Sequence, residues 1–392
     1  MNWTRRRTLT SLLGVATTAL AGCLGDDTKN RALPETPTGT WHQFAHDTAN
    51  TSVSDVSVPP RGTPAWRNGE ADTIAPVVAG ERLFSVDDKL RAFDTQTGDQ
   101  QWQTDLGLDS PGTSVTIPAV TPDHVVLGVE GRIVAFARDD GSEQWETPIE
   151  GVPLGPVTSA PDNQVGILPI ERPERNEAVG ELVGFDLLTG EQRWTAPLRV
   201  SSRTAPPAVF DEQVFGVGYT EEDIPVLRAF RVTDGQIRWE EELDDPQTPP
   251  VVTQSGVFVG NRGVLLQYTH SGDALNSIAG NSNNGAPIRA IAVADETAFV
   301  LSEDGLSAIT VSNSERQWQV DATPKADGIC VGRDSIVAPV SSDEFDLDTS
   351  WPCIAAFNRS NGAVQWYYAI DDAFHPMIST TPVIAESAVF IV

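Results

Sequence analysis

The stretch Leu90–Trp102, LRAFDTQTGDQQW, reads as a strand through Ala92-Phe93-Asp94, a tight turn closed by Gly98, and a second strand carrying Trp102. Gly98 fits a turn position that needs positive φ, and Asp94 and Thr97 can bond the free amides of the turn. The pattern is that of a β-hairpin. The chain repeats it. Ile133–Trp145, Leu182–Trp194, Leu227–Trp239 and Ile354–Trp366 share its frame, and Leu306–Trp318 keeps the spacing with Ser314 in place of glycine. Val264–Asn276 is a worn copy, with Gly272 but with Asn276 where tryptophan should stand.

Ahead of each hairpin lies another two-strand pattern that begins at proline: Pro76-Val-Val-Ala, Pro250-Val-Val-Thr and, at the end of the chain, Pro382-Val-Ile-Ala. The repeat is therefore four short strands, about 43 residues long, within the period of a propeller blade. A solenoid of helix pairs is excluded, because no segment beyond the N-terminus sustains a 3.6-residue period. Closing such sheets radially leaves only short, protected edges.

The A-F-D-x-x-T-G-x-x-x-W hairpin resembles the repeat of the PQQ-like β-propellers. That superfamily includes quinoprotein dehydrogenases and the non-catalytic scaffold lipoprotein of the bacterial outer-membrane assembly machine. The resemblance runs from about Trp66 to Val392. It implies an all-β propeller whose tryptophans, Trp102, Trp145, Trp194, Trp239, Trp318 and Trp366, pack between blades against the small residue of a neighbouring hairpin. A large flat ring suits that place, because it buries much apolar area. Asn276 then marks the weakest junction.

The chain ends on the first two strands of a new repeat, and Trp66 occupies a hairpin-tryptophan position with no hairpin before it. Seven full repeats with these two strands and Trp66 make an eight-bladed propeller closed by pairing both chain ends. A seven-bladed ring with accessory C-terminal strands is the alternative. Residues 41–392 are then one propeller domain, its core divided between blades.

Residues 1–22 stand apart. Arg5-Arg6-Arg7-Thr8-Leu9 resembles a twin-arginine export signal, and Leu12–Leu20 is apolar but too short to span a bilayer. Leu20-Ala21-Gly22-Cys23 resembles a lipobox, which makes Cys23 the lipid attachment site and residues 23–40 a polar tether. Within Trp41–Pro64, the pattern Trp41, Phe44, Asp47, Thr51 resembles the lead-in before the first blade of related exported propellers.

Formal net charge is −29 at pH 7, and the lysines number three: Lys29, Lys89 and Lys325. Acid-rich, lysine-poor surfaces look like those of salt-in halophiles, and a twin-arginine lipoprotein of this composition suits a haloarchaeal cell surface. Such charge repels phosphate backbones, so nucleic acid is not an expected partner.

Three connections between second and third strands are long: Pro169–Gly180, Gly218–Pro225 and Pro339–Pro352. In a propeller they share one face, where insertions mark binding sides. Asp343, Glu344, Asp346 and Asp348 lie together in the last and offer oxygens to Ca²⁺, but they lack the glycine and terminal glutamate of an EF-hand loop. Cys330 and Cys353 map to the first and third strands of one blade, about 9.5 Å apart, too far for a disulfide, and read as buried thiols. His42 and His46 are four residues apart off any helix, and His124, His270 and His375 are scattered, so no zinc site is expected.

The quinoprotein dehydrogenases within the resemblance imply a quinone over the central well with Ca²⁺ at its edge. No cofactor-binding set maps onto this chain. The reading is a non-catalytic, monomeric scaffold lipid-anchored outside the cytoplasm, with an envelope protein as partner. The alternatives are a PQQ-dependent sugar or alcohol dehydrogenase and a glycan- or solute-binding sensory module. Halophilic archaea lack an outer membrane, so the assembly role does not transfer unchanged.

Overall fold

A computed structural model describes residues 30–67, 74–108, 113–173, 178–279, 285–345, 352–369 and 381–391. Cys23, expected from the sequence to carry a lipid, and the whole of the stretch before it lie outside these residues, as do Asp346, Asp348 and His375.

The sheets follow the repeat. Blade 1 is built from Val77–Ala79, Arg82–Val86, Lys89–Asp94 and Gln100–Asp105, paired antiparallel in chain order. Six more blades follow, with outer strands Glu143–Pro148, Gln192–Pro197, Ile237–Glu242, Ala274–Ala279, Arg316–Val320 and Val364–Ala369. All are four-stranded except blade 3, where two short strands, Val152–Pro153 and Thr158–Ala160, both pair with the second strand. The second and third strands of each blade are nearly all apolar because both their faces are covered by neighbouring blades, whereas most outer strands are exposed or half-buried. Phenylalanines fill the space between: Phe84, Phe215, Phe258 and Phe299 from second strands, Phe185, Phe230 and Phe357 from third strands, all 1% exposed or less. Each contributes about 1.5–3 kcal/mol by leaving water.

One irregularity recurs in every blade. Between the small residue and the one after it, the third strand slips by one residue against the outer strand: at Ala92/Phe93, Ala135/Phe136, Gly184/Phe185, Ala229/Phe230, Gln267/Tyr268, Ala308/Ile309 and Ala356/Phe357. The bulge sets the small residue directly opposite the outer-strand tryptophan, as in Ala92↔Trp102.

Among the described residues seven blades have four strands or more, so the expected eighth is corrected: in its place stands a two-stranded sheet, Val383–Ala385 with Ala388–Phe390. Residues 53–66 lie beside it without joining a ladder. Pro59, Pro60 and Pro64 explain why, since proline has no N–H to donate and fixes φ. The hairpin still closes the ring. Ile384, Val383 and Phe390 share one buried cluster with Val78 of blade 1, Cys330 and Val337 of blade 7, and Trp41, Val56 and Val58 of the N-terminal segment.

Among the described residues no helix is long and apolar enough to cross a membrane.

Candidate functional site

The blades are held together by a relay of rings. A Cβ at Gly98, Gly141, Gly190, Gly235, Gly272 or Gly362 would stand 2.9 Å or less from the ring of Trp66, Trp102, Trp145, Trp194, Trp239 or Trp318, respectively. Trp366 completes the circle on Gly62, four residues before Trp66, the same offset that separates Gly98 from Trp102. Each ring therefore lies on the turn glycine of the next blade, while the small residue is its cross-strand partner within its own blade. This differs from the packing the resemblance implies.

Polar ties reinforce the relay. Indole Nε1 donates to a carbonyl of the next turn from Trp66 (to Thr95), Trp194 (to Val232), Trp239 (to His270), Trp318 (to Arg359) and Trp366 (to Pro59). At the junctions after Trp102 and Trp145, a threonine two residues on donates to the glycine carbonyl instead, Thr104 to Gly141 at 2.6 Å and Thr147 to Gly190 at 2.7 Å.

The junction of blades 5 and 6 is built differently. Asn276 stands for tryptophan, Gln267 for the small residue opposite it, and Ser314, with φ 58°, for the turn glycine. Asn276 Nδ2 donates to Gln267 Oε1 at 2.9 Å, and Gln267 is buried where other blades carry alanine or glycine. Without a ring to accommodate, the turn tolerates a Cβ.

The axis of the ring carries the second feature, a belt formed by residues 38–57. Innermost strands of a propeller present unpaired amides toward the axis. Thr40–Trp41 pairs with Val78 and Ala79 of blade 1. The amides of Val120, Val209, Val252 and Val331 then donate to the carbonyls of His42, Thr48, Ala49 and Ser52, at 2.7, 2.5, 2.9 and 2.8 Å. All four occupy one register, five residues ahead of their partners across the first turn. In blade 3 the donor is Ser159, to Gln43 Oε1 at 2.9 Å. Asn50 Nδ2 donates to the carbonyls of Pro206 and Pro250, and Ser57 accepts from Ser387 of the terminal hairpin. Ala45, His46, Asn50 and Ser52 all have positive φ, the backbone cost of bending so tightly.

Asp47 holds the bend. Its carboxylate accepts from the Ala49 and Thr51 amides at 3.1 and 3.0 Å and from the Thr51 hydroxyl, and His46 Nδ1 lies 3.5 Å away. Burial works to raise the Asp47 carboxyl, but His46 and Thr51 hold it below the usual range. Burial also lowers His42, helped by His46 and opposed by Asp47. Both shifts have the same consequence. Each group binds its proton less readily folded than unfolded, so stability is lost as pH falls, for His42 from about 6.5 downward and for Asp47 below about 4. Chemical denaturation at pH 7 and pH 5 is expected to show the loss, and His42→Asn to flatten it.

The remaining site candidates do not converge. Asp343 is exposed and accepts from Ser341 Oγ. Among the described residues, no three His, Cys, Asp or Glu side chains are grouped to hold a metal. Cys330 and Cys353 are free and buried, in the first and third strands of blade 7. Burial pushes the Cys330 thiol well up and Cys353 to about 11. At pH 8 only about one Cys353 in a thousand is thiolate, so both should resist a thiol reagent until denaturant is added, read by absorbance.

Two of the three long connections are more ordered than their sequence implies. Strand pairing in blade 3 continues out to Pro173↔Ala178, and in blade 4 to Tyr219↔Pro225. There Arg199 lies 5.1 Å over the Tyr219 ring and pairs with Asp223, beside Ile224, which is 38% exposed. In blade 7 a short 3-10 turn, Ser342–Phe345, stacks Phe345 on Tyr367, centroids 4.4 Å apart.

The chain approaches the axis from the other face. Leu33 and Thr36 bond Gln96 in the third-to-fourth-strand turn of blade 1, and Thr38 accepts from Glu386 in the first turn of the terminal hairpin. In an antiparallel four-stranded blade these turns share one face, and the second-to-third-strand connections lie on the opposite one.

These features define a β-propeller of PQQ-like repeats whose N-terminal segment runs along its axis. The chain belongs to the family described as outer membrane protein assembly factor BamB, which matches residues 56–163, 175–290 and 281–392. Among solved structures it is similar to BamB from Moraxella catarrhalis, at 13% identity over 81% of this chain and 94% of that one, TM-score 0.58. A europium-containing methanol dehydrogenase is similar at 12% identity over 89% and 88%, TM-score 0.64. The quinohemoprotein alcohol dehydrogenase from Comamonas testosteroni is similar at 11% over 89% and 75%, TM-score 0.61. No curated protein matches.

Proposed function

We propose that the chain is a non-catalytic binding scaffold, tethered outside the cytoplasm through a lipid on Cys23, that docks an envelope protein on its long-connection face. The carrying observation is the path of residues 30–57. They cross the turn face, where Leu33 and Thr36 bond Gln96, and then take up the axial edges of the blades. A tether that leaves over the turn face leaves the opposite face pointing away from the membrane. That face carries Arg199, Tyr219 and Ile224, an arginine and an aromatic beside an exposed aliphatic, the residue types on which binding energy concentrates.

The dehydrogenase alternative asks for a quinone over the axis. The belt stands against it, since buried Trp41, Gln43 and Asn50 occupy the channel-facing edges where such a group would stack. The residues present do not fit a quinone. The family's description as an outer membrane protein assembly factor supports a protein partner.

Cross-linking on intact membranes tests the reading. Tyr219→Ala with Ile224→Asp should cut recovery of the partner about tenfold or more, as expected for a hot-spot pair, while changes at exposed Asp99 and Asp139 of the turn face should leave it unchanged. Equal recovery from all variants would overturn the docking face.

A further inference from the structure

Three Asn-x-Ser/Thr triplets occur: Asn2-Trp3-Thr4, Asn50-Thr51-Ser52 and Asn358-Arg359-Ser360. Such a triplet is an acceptor for a glycan only where the asparagine amide can be reached. The first falls in the stretch read as an export signal, outside the described residues. Asn50 is 2% exposed and spends its Nδ2 on the carbonyls of Pro206 and Pro250. A chain that crosses the membrane already folded would present neither.

Asn358-Arg359-Ser360 is placed otherwise. It opens the hairpin turn of blade 7, with Ser360 and Asn361 exposed and Asn358 half-buried. Asn358 Oδ1 accepts from the Ser360 amide at 3.0 Å and from the Ser360 hydroxyl at 2.7 Å. Both bonds fall on the oxygen, so Nδ2 is the end of the amide they leave uncommitted. A hydroxyl donating to the amide oxygen draws electron density from the group and makes the Nδ2 protons more acidic, as an amide needs before it can attack. The turn is also rigid. Trp318 rests on Gly362 and donates to the Arg359 carbonyl, and the Gly362 amide donates to the Asn358 carbonyl.

We propose that Asn358 carries an N-linked glycan. Asn358 Nδ2 loses one proton to a base of the transferring enzyme and forms a bond to the anomeric carbon of a sugar. The bond that breaks joins that carbon to the phosphate oxygen of a lipid-linked donor, which leaves as the lipid phosphate. The glycan would stand on the turn face, away from the proposed docking face. The inference rests on the exported reading.

The test is peptide mass spectrometry on the protein purified from membranes of the cells that make it, beside a measure of its cleavage by protease added outside intact cells. Added mass in whole sugar units is expected on the peptide holding Asn358 and none on that holding Asn50. Asn358→Asp should remove it entirely without unfolding the protein, because Asp94 and Asp186 cap the same turn in blades 1 and 3. Ser360→Ala should remove it too. An unmodified Asn358 peptide in protein that external protease does cleave overturns the inference alone. Protein shielded from that protease overturns the exported reading and the inference with it.

Discussion

Trp41→Ala is expected to destabilise the propeller by about 3–5 kcal/mol, the range for truncating a large buried aromatic. Trp41 is 1% exposed and sits in the cluster that joins blade 1, blade 7, the terminal hairpin and the N-terminal segment. Its removal opens a cavity where the ring of blades closes, and among the described residues no ladder of four strands stands there to compensate. The effect has a location as well as a size. Amide exchange should quicken first at Val331 and Ser387, which donate to the belt, and later at the hairpins of blades 3 and 4. Guanidinium unfolding measures the total, and a loss below 1 kcal/mol would mean that the belt does not hold the closure.

The second large effect is expected at the junction of blades 5 and 6. Asn276→Trp alone forces an indole against Gln267 and onto the Cβ of Ser314, an overpacking worth about 1–3 kcal/mol of lost stability. Adding Gln267→Ala and Ser314→Gly rebuilds the arrangement of the other junctions. The ring then has a small residue opposite it and a glycine beneath it, with the Val311 carbonyl three residues before the turn position, where Val232 and Arg359 accept at theirs. The triple variant should exceed the parent by about 1–3 kcal/mol, from buried indole area and relief of the positive φ at Ser314. A double-mutant cycle between positions 276 and 314 should couple by about 1 kcal/mol or more. Additive effects would show that the ring and the glycine are not one device.

Gly98 and Trp102 made the repeat legible, and the structure shows why that spacing is rigid. The tryptophan must reach the turn of the next blade, and its own turn must yield to the ring of the blade before. Gln267, Asn276 and Ser314 were each visible as departures. Their linkage was not, because it follows from which turn each ring covers, and that is a fact of neighbouring sheets. The belt was the least legible part. Residues 38–57 follow no strand or helix period, since most of their amide partners are supplied by six different blades and the terminal hairpin. Trp41, Asp47 and Thr51 stood out, but as a motif without a geometry. The eighth blade misled for a related reason. Trp66 and the terminal strands keep the repeat, yet three prolines between residues 59 and 64 deny the missing strands a ladder.

The joining of the two chain ends also sets a timetable. Ser57 meets Glu386 across 329 residues, and Trp366 meets Pro59 across 307. Bringing ends so distant together costs about 5 kcal/mol of loop-closure entropy on the logarithmic estimate. That cost is met only when the belt, the terminal hairpin and the last indole engage at once. Hairpins along the chain can form independently, but the circle stays open until residues 383–390 engage residues 38–59. A polypeptide with this connectivity completes its fold slowly, in a late step that waits on its most distant contacts.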